Sequence, residues 1–278
     1  SLHDALPIFQ LYDDRHLPTS SILWERRDFM NHYRQLRFFC VLTCLFVLLS
    51  TGGAAAAPDP SLVLHWKLDG DFRDASGHNN HGTANGNLSF ADGGVFGRYA
   101  LFSGGYVQIP ASPSLNLGGQ FSISLWLKLA SDDAGRNPDA TLVAKENTDQ
   151  QKNWGDYQFR LKAQGTHDII FSAAQMTNGF EPIGGTSGVG SYELHSAWSL
   201  VTLVFDGDAI AIYINGNKEI SVTAKDRDGK KFRDDTAGRL YVGGLPGGKN
   251  PLDGAIDDLR IYKRALSAAE VSLLFNQR

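Results

Sequence analysis

Gly254-Ala-Ile-Asp-Asp-Leu-Arg-Ile-Tyr262, near the end of a 278-residue chain, decides how the rest is read. As a strand, its two-residue period puts Ala255, Asp257, Leu259 and Ile261 on one face and Ile256, Asp258, Arg260 and Tyr262 on the other. Asp257 then shares a core-facing row with two large aliphatics. A carboxylate is strongly unfavourable there unless it is paired, hydrogen-bonded or bound to a metal. The loop Asp69 to Gly82, rich in Asp and Asn, is the nearest supply of partners if the two ends of the domain lie side by side. The sequence thus predicts a domain that closes through its termini around a polar or metal-filled corner.

Working outward, Leu62 to Leu68 alternates with Leu62, Leu64, Trp66 and Leu68 on one face, and Phe121 to Leu129 is apolar at every odd position. Short strands are expected around Leu88 to Phe90, Ala100 to Phe102, Tyr106 to Ile109, Thr141 to Lys145, Tyr157 to Lys162 and Asp168 to Ala173. Trp198 to Asp206, Ala209 to Ile214 and Lys218 to Val222 are joined by Asp206-Gly207-Asp208 and Asn215-Gly216, both strong hairpin signals. Leu240 to Val242 and Ala255 to Tyr262 complete the strands. Ser267-Ala-Ala-Glu270 is a capping box that opens one short helix to about Phe275. Many short strands, Gly-rich turns and one terminal helix predict an all-β fold of two packed antiparallel sheets. Glu146 to Asp156, Ala174 to Ala197 and Ala224 to Gly238 are the long irregular stretches.

The first 56 residues stand apart from that fold. Ser1 to Ile8 looks like one reading frame through a sequencing adapter, so residues 1–29 are set aside as an artefact or untranslated leader. Met30 to Arg37 is a basic n-region, Phe38 to Ser50 a 13-residue apolar run, and Thr51 to Ala57 a small-residue stretch with Ala-x-Ala spacing. Residues 30–56 are therefore expected to be a secretory signal peptide, because the run is shorter than the ~20 apolar residues of a membrane span. Both cysteines, Cys40 and Cys44, fall inside it, which leaves residues 57–278 without a disulfide. Those residues carry 21 Lys plus Arg against 25 Asp plus Glu and no basic run, which excludes nucleic-acid and anionic-membrane binding as leading functions. At roughly 220 residues they can bury about 70% of their unfolded surface in one core.

Leu64-His-Trp-Lys-Leu-Asp-Gly70, Asp74-Ala-Ser-Gly-His-Asn-Asn-His-Gly82, Phe121-Ser-Ile-Ser-Leu-Trp126, Trp198 with Tyr213-Ile-Asn-Gly216, and Gly254 to Glu270 occur in this order. Taken together they resemble the laminin-G-like jelly-roll domains of the concanavalin-A-like lectin and glucanase superfamily, over about residues 61 to 276. The resemblance implies a two-sheet jelly-roll sandwich, a calcium ion near the domain termini, and carbohydrate or extracellular-protein binding in secreted proteins.

Calcium (Ca2+) takes six to eight oxygens from a flexible loop. Asp69, Asp71, Asp74, Asn79 and Asn80 offer that chemistry, and Asp257 would complete the charge; Asp74 and Asp257 match the family pattern in position. The alternative makes Asp74 and Ser76 Asx-type turns, with Asp257 accepting backbone amides or pairing with Arg98 or Arg260. Asp226-Arg-Asp228-Gly229 resembles half an EF-hand loop but lacks the later ligands, and is expected to be a hairpin tip. The histidines have no zinc spacing, and no GxSxG or Glu-x-Asp-x-x-Glu motif is present, so a non-catalytic module is expected. Sugar-binding candidates are aromatic and acidic loop residues: Trp154, Asp156, Phe180 and Tyr192. A polysaccharide-degrading enzyme, or an accessory domain of a longer protein, are the competing expectations.

Overall fold

A computed structural model describes residues 59–130, 139–146, 157–164, 168–176, 182–183, 186–189, 194, 197–223 and 236–278. The strands form two eight-stranded sheets in which every ladder is antiparallel. Sheet A holds β1 (Leu62–Trp66), β3 (Leu88–Gly94), β4 (Gly97–Ser103), β6 (Phe121–Leu129), β12 (Ser199–Phe205), β13 (Ala209–Ile214), β14 (Asn217–Thr223) and β16 (Asp253–Tyr262). Sheet B holds β2 (Thr83–Asn85), β5 (Tyr106–Ile109), β7 (Asp139–Glu146), β8 (Tyr157–Gln164), β9 (Asp168–Met176), β10 (Pro182–Ile183), β11 (Thr186–Val189) and β15 (Arg239–Val242). The strands β10 and β11 pair with β9 inside a stretch read from sequence as irregular. With only Pro-Ile in β10 and Thr-Ser-Gly-Val in β11, the two are too short for an alternation test to find.

One apolar core lies between the sheets. Phe121, Ile123, Leu125 and Leu127 of β6 meet Leu142, Val143, Phe159, Leu161, Leu240 and Val242 from the other sheet, as the odd-position pattern predicts. Each such side chain contributes roughly 1.5–3 kcal/mol by leaving water. The outer face of sheet A is sealed by α1 (Ala268–Asn276), opened by the expected capping box of Ser267 and Glu270. Val271 of α1, with Leu266 ahead of it, packs on Val204, Ala211, Tyr213 and Tyr262. Phe275 stacks on Trp126 at 5.8 Å between ring centres.

Two placements depart from strict alternation. Leu62 packs with the outer cluster and Val63 with the core, because the β1–β16 register slips between Leu62 and Leu64. In β16 the ladder to β6 slips between Asp257 and Arg260, and Asp258 takes a φ of 48°. This bulge inserts one residue, so Ile256, Leu259 and Ile261 face the core and Asp257 does not share their row, contrary to the sequence expectation.

Candidate functional site

The partner of Asp257 is the turn between β3 and β4, not the Asp-rich loop. Oδ2 of Asp257 accepts the Phe96 amide at 2.9 Å. A Cβ on Gly94 would lie 2.7 Å from that oxygen, so glycine is what lets the turn settle on the carboxylate. Burial pushes the Asp257 carboxyl up to about 6, against the pull of the Phe96 and Val95 amides, and the charge of Asp258 adds to the rise.

Asp258 is the residue that reaches toward the loop. Its Oδ1 lies 2.7 Å from His65 Nε2 and its Oδ2 3.0 Å from Arg260 Nη2. The His65 amide in turn donates to Asp74 Oδ1 at 2.9 Å. The termini of the domain do close on a polar corner, then, but through Asp74, His65, Asp258 and Arg260.

Both oxygens of Asp74 are taken by donors. Oδ1 accepts the amides of His65 and Ser76, each at 2.9 Å, and Oδ2 accepts the Ser76 hydroxyl at 2.8 Å and the Asn80 amide at 3.0 Å. Burial would raise its pKa, but the amides of His65, Ser76 and Asn80 and the Ser76 hydroxyl outweigh that and hold it below the usual carboxylate value. Asp69 Oδ1 accepts the Arg98 amide and Asp71 Oδ1 the Arg73 amide, both at 3.0 Å. Asn79 is exposed with a φ of 59°, and the buried Asn80 donates to Val63 O and Ser114 Oγ at 2.7 and 2.8 Å. Among the described residues no three His, Cys, Asp or Glu side chains gather closely enough to hold an ion. Carboxylates that point at N–H and O–H donors offer a cation little, so the set Asp69, Asp71, Asp74, Asn79 and Asp257 does not fit one calcium ion. The loop is held by Asx-type turns, the alternative that its sequence also allowed.

The loop candidates Trp154, Asp156, Phe180 and Tyr192 lie outside the described residues. Of the other tryptophans, Trp66 and Trp126 are buried in the domain. Trp198 is half-buried, edge-on to Tyr99 at 5.2 Å, with its Nε1 donating to Gly93 O at 3.3 Å.

The outer face of sheet B has a different chemistry from that of sheet A. Alternation and register bring Gln158 and Arg160 of β8, Asp139, Thr141, Ala144 and Glu146 of β7, Arg239 and Tyr241 of β15, and Tyr106 and Gln108 of β5 onto one surface. A bulge near Leu142 keeps both Leu142 and Val143 in the core without breaking that row. Gln158 Nε2 donates to Glu146 Oε1 at 3.0 Å, and Arg160 Nη2 pairs with Asp139 Oδ2 at 2.9 Å. Burial pushes Glu146 above its ordinary value, against the pull of Arg160 and Lys249. Tyr106 stands edge-on to Tyr241 at 5.9 Å, and Ala144 and Leu245 pack beside them. Tyr241, Ala144, Leu245, Thr141, Glu146 and Gln158 are buried, so what this face offers a ligand is the half-buried Tyr106, Gln108, Asp139, Arg160 and Arg239, one aromatic edge among polar groups of the kind that suits a polyhydroxylated ligand. The sequence hid this face, since its residues come from four separated segments and share only their outward parity.

Two carboxylates of this face sit on β7. Asp139 and Glu146 are its first and last residues, about 23 Å apart at ~3.3 Å per residue. Glycosidase pairs need about 5–9.5 Å. These two therefore cannot flank one glycosidic bond.

Two antiparallel sheets, one sealed by a helix and the other polar on its outer face, define a jelly-roll sandwich. A laminin-G-type family model matches residues 102–272, and the chain belongs to the concanavalin A-like lectin/glucanases superfamily. No curated protein matches it in sequence. Domain 4 of the extracellular arabinanase AbnA from Geobacillus stearothermophilus, solved with arabinotriose, is 22% identical, with a TM-score of 0.56 over 77% of this chain and 98% of its own. The binding domain of paraclostridial mosquitocidal protein 1 is 18% identical, with a TM-score of 0.59 over 78% of this chain and 52% of its own. The binding domain of botulinum neurotoxin DC, in complex with rat synaptotagmin II, is 17% identical, with a TM-score of 0.58 over 79% of this chain and 52% of its own. At these identities the likeness is one of fold, and the chain spans about half the length of the two toxin domains.

Proposed function

We propose that this protein is a secreted, non-catalytic recognition module that binds glycan. The observation that carries it is the outer face of sheet B, where the half-buried Tyr106, Gln108, Asp139 and Arg160 share one surface with the buried Gln158–Glu146 bond. Support for a saccharide comes from the neighbour of similar fold bound to arabinotriose. That neighbour is one domain of a larger arabinanase, which favours an accessory role beside a catalytic partner. The complex with synaptotagmin supports the second reading, in which an extracellular protein is the ligand. Secretion rests on the basic, apolar and small-residue order of residues 30–57. The spacing of Asp139 and Glu146 argues against hydrolysis on this face.

The test is to screen the full chain on immobilised plant and microbial polysaccharides and arabino-oligosaccharides, with a reducing-sugar assay run alongside. Retention without release of reducing ends is the expected result. Release of sugar would replace the module with an enzyme, and the absence of any retention would leave the protein ligand.

A further inference from the structure

We infer that Asp139, Thr141 and Arg160 form the part of sheet B that reads the hydroxyl pair of a neutral saccharide, an inference that rests on the glycan reading above. The observation is a cluster of unpaired polar atoms. Asp139 Oδ1, Thr141 Oγ1 and Arg160 Nε are each buried and without a hydrogen-bond partner. They belong to one spot: Thr141 and Arg160 are register partners, and Asp139 is two residues before Thr141 on the same face and pairs with Arg160 through its other oxygen at 2.9 Å. Directly opposed residues bring their Cβ atoms within about 5.5 Å.

Buried polar atoms normally find partners, because each one left unpaired costs about 1–3 kcal/mol. Three on adjacent positions mark a place where a polar ligand completes the bonding. Their types specify its character. Arg160 Nε only donates, Asp139 Oδ1 only accepts, and Thr141 Oγ1 does either. A sugar hydroxyl also does both, so two neighbouring hydroxyls satisfy the set, one donating to Asp139 and the other accepting from Arg160. The opposed charges of Asp139 and Arg160 already neutralise each other, so the site asks for no ionic ligand. Thr141 is fully buried and the three unpaired atoms are sealed, whereas the side chains of Arg160 and Asp139 keep 17% and 32% of their exposure through their other atoms, so a ligand reaches the spot as those two side chains turn aside. Tyr106 of β5, half-buried and two strands beyond β7, gives a further sugar one aromatic edge, whereas its neighbour Tyr241 on β15 is buried.

The experiment is affinity electrophoresis of the full chain through gels containing arabinan, xylan, mixed-linkage glucan or galactomannan. Each polysaccharide is used intact and after periodate cleavage of its vicinal diols. The variants are Thr141→Val, which keeps shape and loses the hydroxyl, and Arg160→Lys, which keeps the charge opposite Asp139 and loses the Nε donor. Melting curves confirm that each is folded. Wild type should be retarded by at least one intact polysaccharide and released when that polysaccharide is oxidised. Thr141→Val should weaken retardation about three- to tenfold and Arg160→Lys more than about tenfold, the cost of a neutral and a charged hydrogen bond. If folded variants are retarded like wild type, the inference is overturned while the recognition reading stands. Loss of retardation in Trp154→Ala alone would overturn it in favour of the loops. If no polysaccharide retards wild type, the glycan reading falls and takes the inference with it.

Discussion

Asp257 and Trp126 are register partners across the β6–β16 ladder, and each buries a polar atom, Oδ1 and Nε1, that has no hydrogen-bond partner. The carboxylate is thus half-satisfied: the β3–β4 turn binds one oxygen and the other faces sealed protein. Its position follows from the exchange of neighbours along β16, whose first half pairs with β4 and whose second half pairs with β1. The turn of β3 and β4 fills the gap between them.

A pH dependence follows from this burial. The carboxyl titrates near 3.8 when unfolded and at about 6 when folded. The folded state holds the extra proton between those values, so this group's contribution is full below 3.8 and is lost as pH rises through 6. About two units correspond to about 3 kcal/mol. Asp257→Asn, which cannot titrate, should gain on wild type by about that much between pH 4 and 7, some 6–12 °C in melting temperature. Parallel melting curves across this range would show that Asp257 titrates normally.

Calcium should matter little to stability, since the loop carboxylates are bound by protein donors. EDTA should leave the melting temperature of the full chain within about 1 °C. Asp74→Ala should lower stability by about 2–4 kcal/mol by freeing three amides and a hydroxyl, with or without metal. A chelator effect of several degrees, on the scale of the ~2.7 kcal/mol that a well-saturated ion contributes, would restore the ion.

The parts of the fold that local chemistry dictates were legible. The apolar odd positions of β6, the Ser267–Glu270 capping box and the Asn215-Gly216 turn, with φ values of 51° and 84°, all carry their geometry in a few adjacent residues. The direction of Asp257 was not legible. Parity along a strand holds only while the ladder is regular, and nothing in Ala-Ile-Asp-Asp-Leu announces a bulge. The Asx-type loop around Asp74 resembled a metal site because both uses need the same oxygens, and only the direction of the neighbouring amides separates them.

Export gives a prediction of its own. If residues 30–56 are a signal peptide, protein recovered from the medium of a secreting host begins near Ala57. N-terminal sequencing that finds Met30 retained would remove secretion from the proposal.

The bulge itself is testable at Asp258. At a φ of 48° this residue occupies the left-handed region, which Asn and Asp tolerate and β-branched residues do not. It also holds His65 at 2.7 Å and Arg260 at 3.0 Å with little exposure. Asp258→Asn keeps the backbone preference and loses the charge, so it should cost about 1–2 kcal/mol, in the range of hydrogen bonds to charged groups. Asp258→Val loses both partners outright, where Asn keeps one accepting oxygen, and adds backbone strain of about 1–3 kcal/mol, so in urea unfolding it should be less stable than the Asn variant by at least that increment. Equal stability of the two would mean that the strand runs without the bulge. Regular alternation would then return Asp257 to the row of Leu259 and Ile261.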